Sequence, residues 1–222
     1  MLPRIVLHNA VSLDGRIDHF TPDVGLFYEL AARWGEGATL AGSDTLLAAP
    51  GGADADGDDA PVPPAPAAGD TRPLLVVPDS RGRVRCWRAL LGAGYWRGGV
   101  ALCTRATPEA HLDYLERSGV DRIAAGEERV DLRAALDELA ARYDVTLVRV
   151  DSGGTLNGVL LRAGLVNEVS LLVHPTLVGG VSPRSVFRAP DLATGASAIP
   201  LRLTHVERLR DDLVWLRYEA GA

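Results

Sequence analysis

Apolar residues along the chain follow two periodicities, one typical of buried strands and the other of amphipathic helices. The β-branched run 145–150 predicts a strand, whereas the three- and four-residue spacing in 24–34 and 130–143 predicts helices. Further strands are predicted at 4–11, 38–41, 74–77, 100–103, 122–125 and 168–174, and a further helix at 108–117. Two alternating segments at the C-terminus, 201–209 and 213–220, predict an antiparallel hairpin. This order predicts an α/β fold, a three-layer αβα arrangement with a mostly parallel central sheet.

The segment from Asp144 to Asn167 combines a predicted strand, a glycine turn and a helix. The turn is Asp151-Ser152-Gly153-Gly154, and the helix opens at Thr155, with Leu156, Val159, Leu160 and Leu161 on its apolar side. A helix that begins after two glycines presents unpaired N–H groups and the positive end of its dipole to an anion. The missing Cβ atoms also let a phosphate approach the main chain. Gly-Gly is more often a plain tight turn, and the standard dinucleotide and P-loop motifs are absent, so both interpretations stay open.

Polar residues also follow three other predicted strands. Asn9, Ser12 and Asp14 can face a ligand at the end of the first strand, or they can form an ordinary Asp-Gly turn. The turn 42–45 contains Thr45 and precedes a short helix-like run. Ser80, Arg81 and Arg83 can bind a phosphate, or the arginines can be solvated. Repeated turns of this kind favour a phosphate-rich ligand.

Composition narrows the possible functions. The 222 residues are expected to form a single domain, 1–222, in which the Pro-, Gly-, Ala- and Asp-rich segment 50–72 is a loop or insertion. A net charge of −6 argues against nucleic-acid binding, and the absence of lysine excludes Schiff-base chemistry. The two cysteines suggest neither a disulfide scaffold nor a structural zinc site, so we expect no metal. No apolar run is long enough to span a bilayer, and cytoplasmic localisation is expected.

Five motifs together resemble the reductase domain of riboflavin biosynthesis, which has a dihydrofolate-reductase-like fold. They are NAVSLDGRI (9–17), GSDT (42–45), DSR (79–81), VDSGGTLNGVLLRAGLVNEV (150–169) and HPTLVGG (174–180). The resemblance implies an NADPH-dependent enzyme that reduces the ribosyl group of a (di)amino-ribosylaminopyrimidinone 5′-phosphate to ribityl. It also implies a homodimer, for which the apolar face of the C-terminal strands is suited.

The resemblance further implies a set of site residues. Cofactor contacts are expected from Thr45, Ser80, Arg81, Ser152, Gly153, Gly154, Thr155 and Leu156. Asn9, Ser12 and Asp14 are expected to contact substrate, and Asp14 and Asp151 to relay a proton. The Gly153–Gly154 peptide is expected to be cis.

Two departures from the family pattern leave the substrate open. The chain has Asp151-Ser152 where the family has Glu-Gly, and Leu46-Leu47-Ala48-Ala49-Pro50 where an acidic run is usual. A dihydrofolate or pterin reductase of the same fold is therefore an alternative, with Glu29 or Asp23 as the acid under the pteridine. A nucleotide-binding module without catalytic activity is the other alternative.

Overall fold

The computed structural model describes residues 1–49, 61–62, 64, 67, 69–181, 184–195 and 198–221. Most of segment 50–72, including Pro50, therefore lies outside the described residues. The chain divides into two compact units. The first contains Met1–Pro3 and Glu36–Val148, and the second contains Arg4–Gly35 and the chain from Arg149 onward. None of the helices in the described part is both long and apolar enough to cross a membrane.

Strands and helices alternate through most of the chain. The strands are β1 (Arg4–Ser12), β2 (Ala38–Ala41), β3 (Leu74–Pro78), β4 (Gly98–Cys103), β5 (Asp121–Ala124), β6 (Leu147–Asp151), β7 (Glu168–His174), β8 (Leu201–Arg208) and β9 (Val214–Ala220). The helices are α1 (Val24–Ala31), α2 (Ser43–Ala48), α3 (Trp87–Gly92), α4 (Glu109–Arg117), α5 (Leu132–Tyr143) and α6 (Gly154–Arg162).

The first unit is built on parallel strands in the order β5-β4-β3-β2. Its core packs Trp87 of α3 and Leu115 of α4 against Leu75 and Ala101 of the strands. Because the strands are parallel, their carboxyl ends, where polar turns follow, lie at one edge of this unit.

The second unit has the strand order β6-β1-β7-β9-β8. β1 and β7 are parallel and aligned so that Ser12 lies opposite His174. β9 is antiparallel to both β7 and β8, which gives the C-terminal hairpin. Helix α1 buries Leu26, Phe27 and Leu30 in a core that also contains Trp215 of β9.

The expected α/β class, with mostly parallel strands and a C-terminal antiparallel hairpin, is confirmed. One expectation within α6 is wrong: Val159 is 50% exposed rather than part of the apolar side. The buried face of this helix instead consists of Gly154, Asn157, Gly158 and Leu160. The two glycines on this face allow the main chain of residues 185–188 to pack closely against the helix. The helix is therefore not packed by large apolar side chains alone.

Candidate functional site

The turn between β6 and α6 leads directly from an extended residue into the helix. Asp151 ends the strand, and Gly153 is the N-cap of α6 with φ −78° and ψ 172°. The Gly153–Gly154 peptide is trans, so the expected cis bond is wrong. A cis bond outside proline costs about 3 kcal/mol, and extended Gly153 enters the helix without one.

Two buried asparagines hold this turn. The Asn9 amide nitrogen in β1 donates to the Ser152 carbonyl oxygen at 2.8 Å. The Asn157 amide nitrogen in α6 donates to Asn9 Oδ1 at 2.9 Å and to the Val186 carbonyl oxygen at 3.0 Å. Because buried hydrogen bonds of this kind are costly to break, β1, the turn and the segment around Val186 are fixed to one another.

The segment 185–188 lies directly on the start of α6. Its Arg188 amide donates to the Gly154 carbonyl oxygen at 2.9 Å. A Cβ atom at Gly154 would lie 2.1 Å from the Ser185 carbonyl oxygen, and one at Gly158 would lie 2.0 Å from the Arg188 carbonyl oxygen. These two glycines are therefore required by the chain's own packing, whatever ligand the turn binds.

The N-terminus of α6 has the features of an anion site. Gly153 supplies no side-chain cap, Thr155 is exposed, and Gly153 and Leu156 are partly exposed. The first-turn amides of a helix have no partner within the helix itself, and the helix dipole adds positive potential at this end. Ser152 is buried, so any part it plays in binding comes through its main chain.

The predicted substrate and proton-relay residue Asp14 holds a loop of its own unit. Its carboxylate accepts hydrogen bonds from Ser12 Oγ at 2.7 Å and from the amides of Val178 and Gly179 at 3.1 and 2.7 Å. These hydrogen bonds, the one from Ser12 foremost, hold the pKa of Asp14 well below its usual range. Asp14 is therefore ionised at neutral pH, which suits an anchor for the 176–179 loop better than a proton donor.

The other predicted catalytic carboxylate, Asp151, is about as accessible as Asp14, since their side chains are 30% and 26% exposed. Its Oδ2 lies 3.3 Å from an Arg149 guanidinium nitrogen and 3.5 Å from the Tyr28 hydroxyl. Arg149 is buried and belongs to the same strand face two residues earlier. The carboxylate is thus held beside a buried cation at the carboxyl end of β6.

In the first unit, the predicted cofactor residues lie on two turns that are joined by Arg83. Thr45 is exposed on α2, and Arg81 is exposed on the turn after β3. The Ser80 carbonyl oxygen accepts from Thr107 Oγ1 at 3.0 Å. The Arg83 guanidinium donates to Ser43 Oγ and Asp44 Oδ1 at 2.9 and 2.7 Å, so it links the turn to the start of α2.

Sequence reasoning did not identify Asn157, Arg149 or the 185–188 segment as parts of the site. Asn157 carried a usable signal, because it is a polar residue at a helix position that is otherwise apolar. Segment 185–188 carried none, because nothing in its composition indicates a partner. Within the described residues, no group of three or more His, Cys, Asp or Glu side chains could hold a metal ion.

Comparison with known proteins identifies relatives along nearly the whole chain. The RibD C-terminal domain family model matches residues 3–215. The chain is 30% identical over 223 residues to the 2,5-diamino-6-ribosylamino-4(3H)-pyrimidinone 5′-phosphate reductase of Methanothermobacter thermautotrophicus, covering 96% of this chain and 97% of that enzyme. It is 33% identical over 142 residues to the protein of the same name from Archaeoglobus fulgidus, covering 63% of this chain and 60% of that one.

Solved structures agree on the fold. Acinetobacter baumannii RibD matches with a TM-score of 0.72 and 24% identity, over 99% of this chain and 58% of that chain. The riboflavin biosynthesis reductase of Saccharomyces cerevisiae matches with a TM-score of 0.66 and 18% identity, over 99% of this chain and 90% of that chain. The dihydrofolate-reductase-like fold expected from the sequence is thereby confirmed, and the chain belongs to the RibD C-terminal domain family of riboflavin-biosynthesis reductases.

Proposed function

We propose that this protein is an NADPH-dependent reductase of 2,5-diamino-6-ribosylamino-4(3H)-pyrimidinone 5′-phosphate or its 5-amino counterpart, converting the ribosyl group to ribityl. The main support for this proposal is the sequence match to the Methanothermobacter enzyme, which extends over 97% of that protein. The β6–α6 turn, whose N-cap residue Gly153 supplies no side-chain cap, supports a ligand that carries phosphate groups.

The donor set of the turn fits a nicotinamide dinucleotide. The cofactor, when bound, supplies the hydride that is accepted at C1′ of the ring-opened sugar. The main chain from Gly153 to Leu156 would hold its pyrophosphate. In the first unit, Thr45, Ser80 and Arg81 stay predicted cofactor residues. A guanidinium group binds a phosphate through two parallel hydrogen bonds, so Arg81 suits the 2′-phosphate that distinguishes NADPH from NADH.

Asp151 is the residue that we assign to the proton transfer accompanying hydride transfer. It is partly exposed at the carboxyl end of β6, where ligands bind in open α/β sheets. Asn9 and Ser12 contribute by holding the turn and the Asp14 loop in place, so a substrate meets a preformed surface.

The pterin alternative lacks a suitable acid on α1. Asp23 Oδ1 caps α1 by accepting from the Leu26 amide, and its Oδ2 accepts from Arg210 at 2.8 Å. These interactions, the Leu26 hydrogen bond first, lower the pKa of Asp23. Glu29, the other acid proposed for this role, is exposed. Neither side chain has the setting of a buried carboxylate that recognises a pteridine amino group.

Substitution of exposed Thr155 tests the proposed pyrophosphate site. Thr155→Glu adds a negative charge in the first turn of α6, which favours the helix but repels a phosphate. We expect roughly tenfold weaker NADPH binding by calorimetry than in the wild type, because repulsion replaces attraction at close range. Thr155→Gln introduces a side chain of the same size as Glu but without its charge. This variant should bind NADPH with an affinity within about twofold of the wild type. Equal NADPH affinity in the two variants would contradict the placement of the pyrophosphate at this helix.

A further inference from the structure

Two ionisable side chains, Asp79 and His111, are buried together in the first unit. Their side chains are 1% and 0% exposed, and His111 Nε2 lies 3.5 Å from Asp79 Oδ2. Among the described residues, neither ring nitrogen of His111 nor Asp79 Oδ1 has a hydrogen-bond partner. Burial of incompletely bonded polar groups is costly, and apolar residues would serve packing alone better. Packing alone therefore does not explain why Asp79 and His111 occupy these positions.

Asp79 closes the loop 79–84 that follows β3. Its Oδ2 accepts from the Val84 amide at 2.8 Å, which joins the end of the loop to its beginning. Its own amide donates to the Leu102 carbonyl oxygen of β4 at 2.9 Å, which fixes the loop to the strands. The side chain of Asp79 thus closes the loop, and its main chain anchors the loop to β4.

His111 of α4 forms the surface on which this loop rests. Gly82 has a φ of +65°, and a Cβ atom there would lie 2.7 Å from both Cβ and Cγ of His111. Burial lowers the pKa of His111, although Asp79 opposes this shift, so the ring is neutral near pH 7. The imidazole and the carboxylate therefore support the loop as one unit.

The loop carries the first unit's predicted cofactor residues or holds them in place. Ser80 and Arg81 lie within it, and Arg83 donates to Ser43 and Asp44 at the start of the helix that bears Thr45. A change in the loop's path would consequently move all three predicted contacts. The pair itself is fully buried, so it acts on a ligand only through the loop.

We propose that Asp79 and His111 are positioning residues that set the preference for NADPH over NADH, by fixing loop 79–84 so that Ser80 and Arg81 meet the 2′-phosphate. This inference rests on the proposed function. A loop that is ordered in advance binds an anion without paying the entropy of ordering at that moment. NADH lacks the 2′-phosphate that would contact the loop. An ordered loop should therefore raise the affinity for NADPH much more than the affinity for NADH.

The test measures the Kd values of NADPH and NADH by calorimetry for the wild type and for Asp79→Ala, which loses the acceptor for the Val84 amide. We expect Asp79→Ala to weaken NADPH binding roughly tenfold and NADH binding less than about twofold. Asp79→Asn keeps an acceptor oxygen and should recover most of the NADPH affinity. Ser118→Ala is the matched control, since it removes a buried hydroxyl of this unit that, like Asp79 Oδ1, has no partner among the described residues; it should alter neither Kd.

The outcomes separate this inference from the proposed function. A wild type that binds neither nucleotide would remove the proposed function itself. A wild type without a preference, or variants that lose NADPH and NADH affinity equally, would overturn the positioning role and leave the reductase assignment standing. Circular dichroism checks that each variant is folded. If Asp79→Ala is not, Gly82→Ala takes its place, because its new Cβ disturbs the loop at His111.

Discussion

At the scale of single residues, polar side chains near the strand ends of the second unit mainly hold the chain's own loops. Asn9 binds the Ser152 carbonyl group, and Asp14 binds the amides of Val178 and Gly179. Such hydrogen bonds satisfy main-chain groups that would otherwise need water. Direct contact of Asn9, Ser12, Asp14 or Asp151 with a substrate stays a prediction, and the Asp14 and Asp151 side chains are 26% and 30% exposed.

His8 provides a pH-dependent prediction at this scale. Its Nδ1 lies 2.9 Å from Ser170 Oγ, which accepts from Trp215, and its Nε2 lies 3.1 Å from the Phe27 carbonyl oxygen. Burial lowers the pKa of His8 to about 4. Between that value and about 6.5, the ordinary histidine pKa, the unfolded state binds more protons, so stability should fall as the pH is lowered through this range.

Urea denaturation of the wild type and His8→Gln between these pH values measures this contribution. The free energy of unfolding of the variant should decrease less than that of the wild type as the pH is lowered, whatever the stability of the variant at neutral pH. An imidazole that titrates near 6.5 by NMR in the folded protein would contradict the buried neutral state.

At the scale of elements, α6 shows what the sequence could and could not predict. Its position after β6 and its end near Gly164 followed from periodicity and from glycine. Its buried face did not, because the partner is the main chain of residues 185–188, some thirty residues away, and no local pattern records that contact. The same reason explains why Val159 was misplaced, whereas Asn157, a polar residue at an otherwise apolar helix position, carried a signal that could have been used. The strands were easier to predict, since β-branched runs have few alternatives to a buried strand.

Gly158→Ala tests this close packing. The new Cβ would meet the Arg188 carbonyl oxygen at 2.0 Å, so segment 185–188 must move. We expect the free energy of unfolding to fall by about 1–3 kcal/mol, as in other overpacked sites. Gly92→Ala in α3 is the matched control, because no atom lies within 4 Å of its Cβ position. There the gain in helix propensity should leave stability unchanged or raise it by up to about 1 kcal/mol. Equal stability of the two variants would show that the contact is absent in solution.

At the scale of the whole molecule, the C-terminal hairpin has an apolar face that is exposed in the described part of the chain. A bulge between Leu203 and His205 changes the alternation of β8, so that Leu201, Leu203 and Val206 lie opposite Ala220, Tyr218 and Leu216 on the same face. The three β8 side chains are 42%, 50% and 59% exposed. A face of this kind suits a second copy of the chain, and we propose that it is the homodimer interface.

Leu203→Arg tests that interface. A charge in the middle of a buried apolar contact should convert the dimer into a monomer, which light scattering after gel filtration measures directly. Thr204→Arg, at the neighbouring exposed position within the bulge, provides the control and should stay dimeric. A monomeric wild type, or a dimer that tolerates Leu203→Arg, would exclude this face.

Hydride transfer from NADPH to the ribosyl group can be followed with a labelled cofactor. Purified protein is incubated with 2,5-diamino-6-ribosylamino-4(3H)-pyrimidinone 5′-phosphate and NADPH deuterated at the hydride position, and the product is analysed by mass spectrometry and NMR. The account predicts oxidation of NADPH and a ribityl product that carries deuterium at C1′. Dihydrofolate in a parallel reaction should remain unreduced. An unchanged pyrimidine with no oxidation of NADPH, or reduction of dihydrofolate instead, would contradict the assignment.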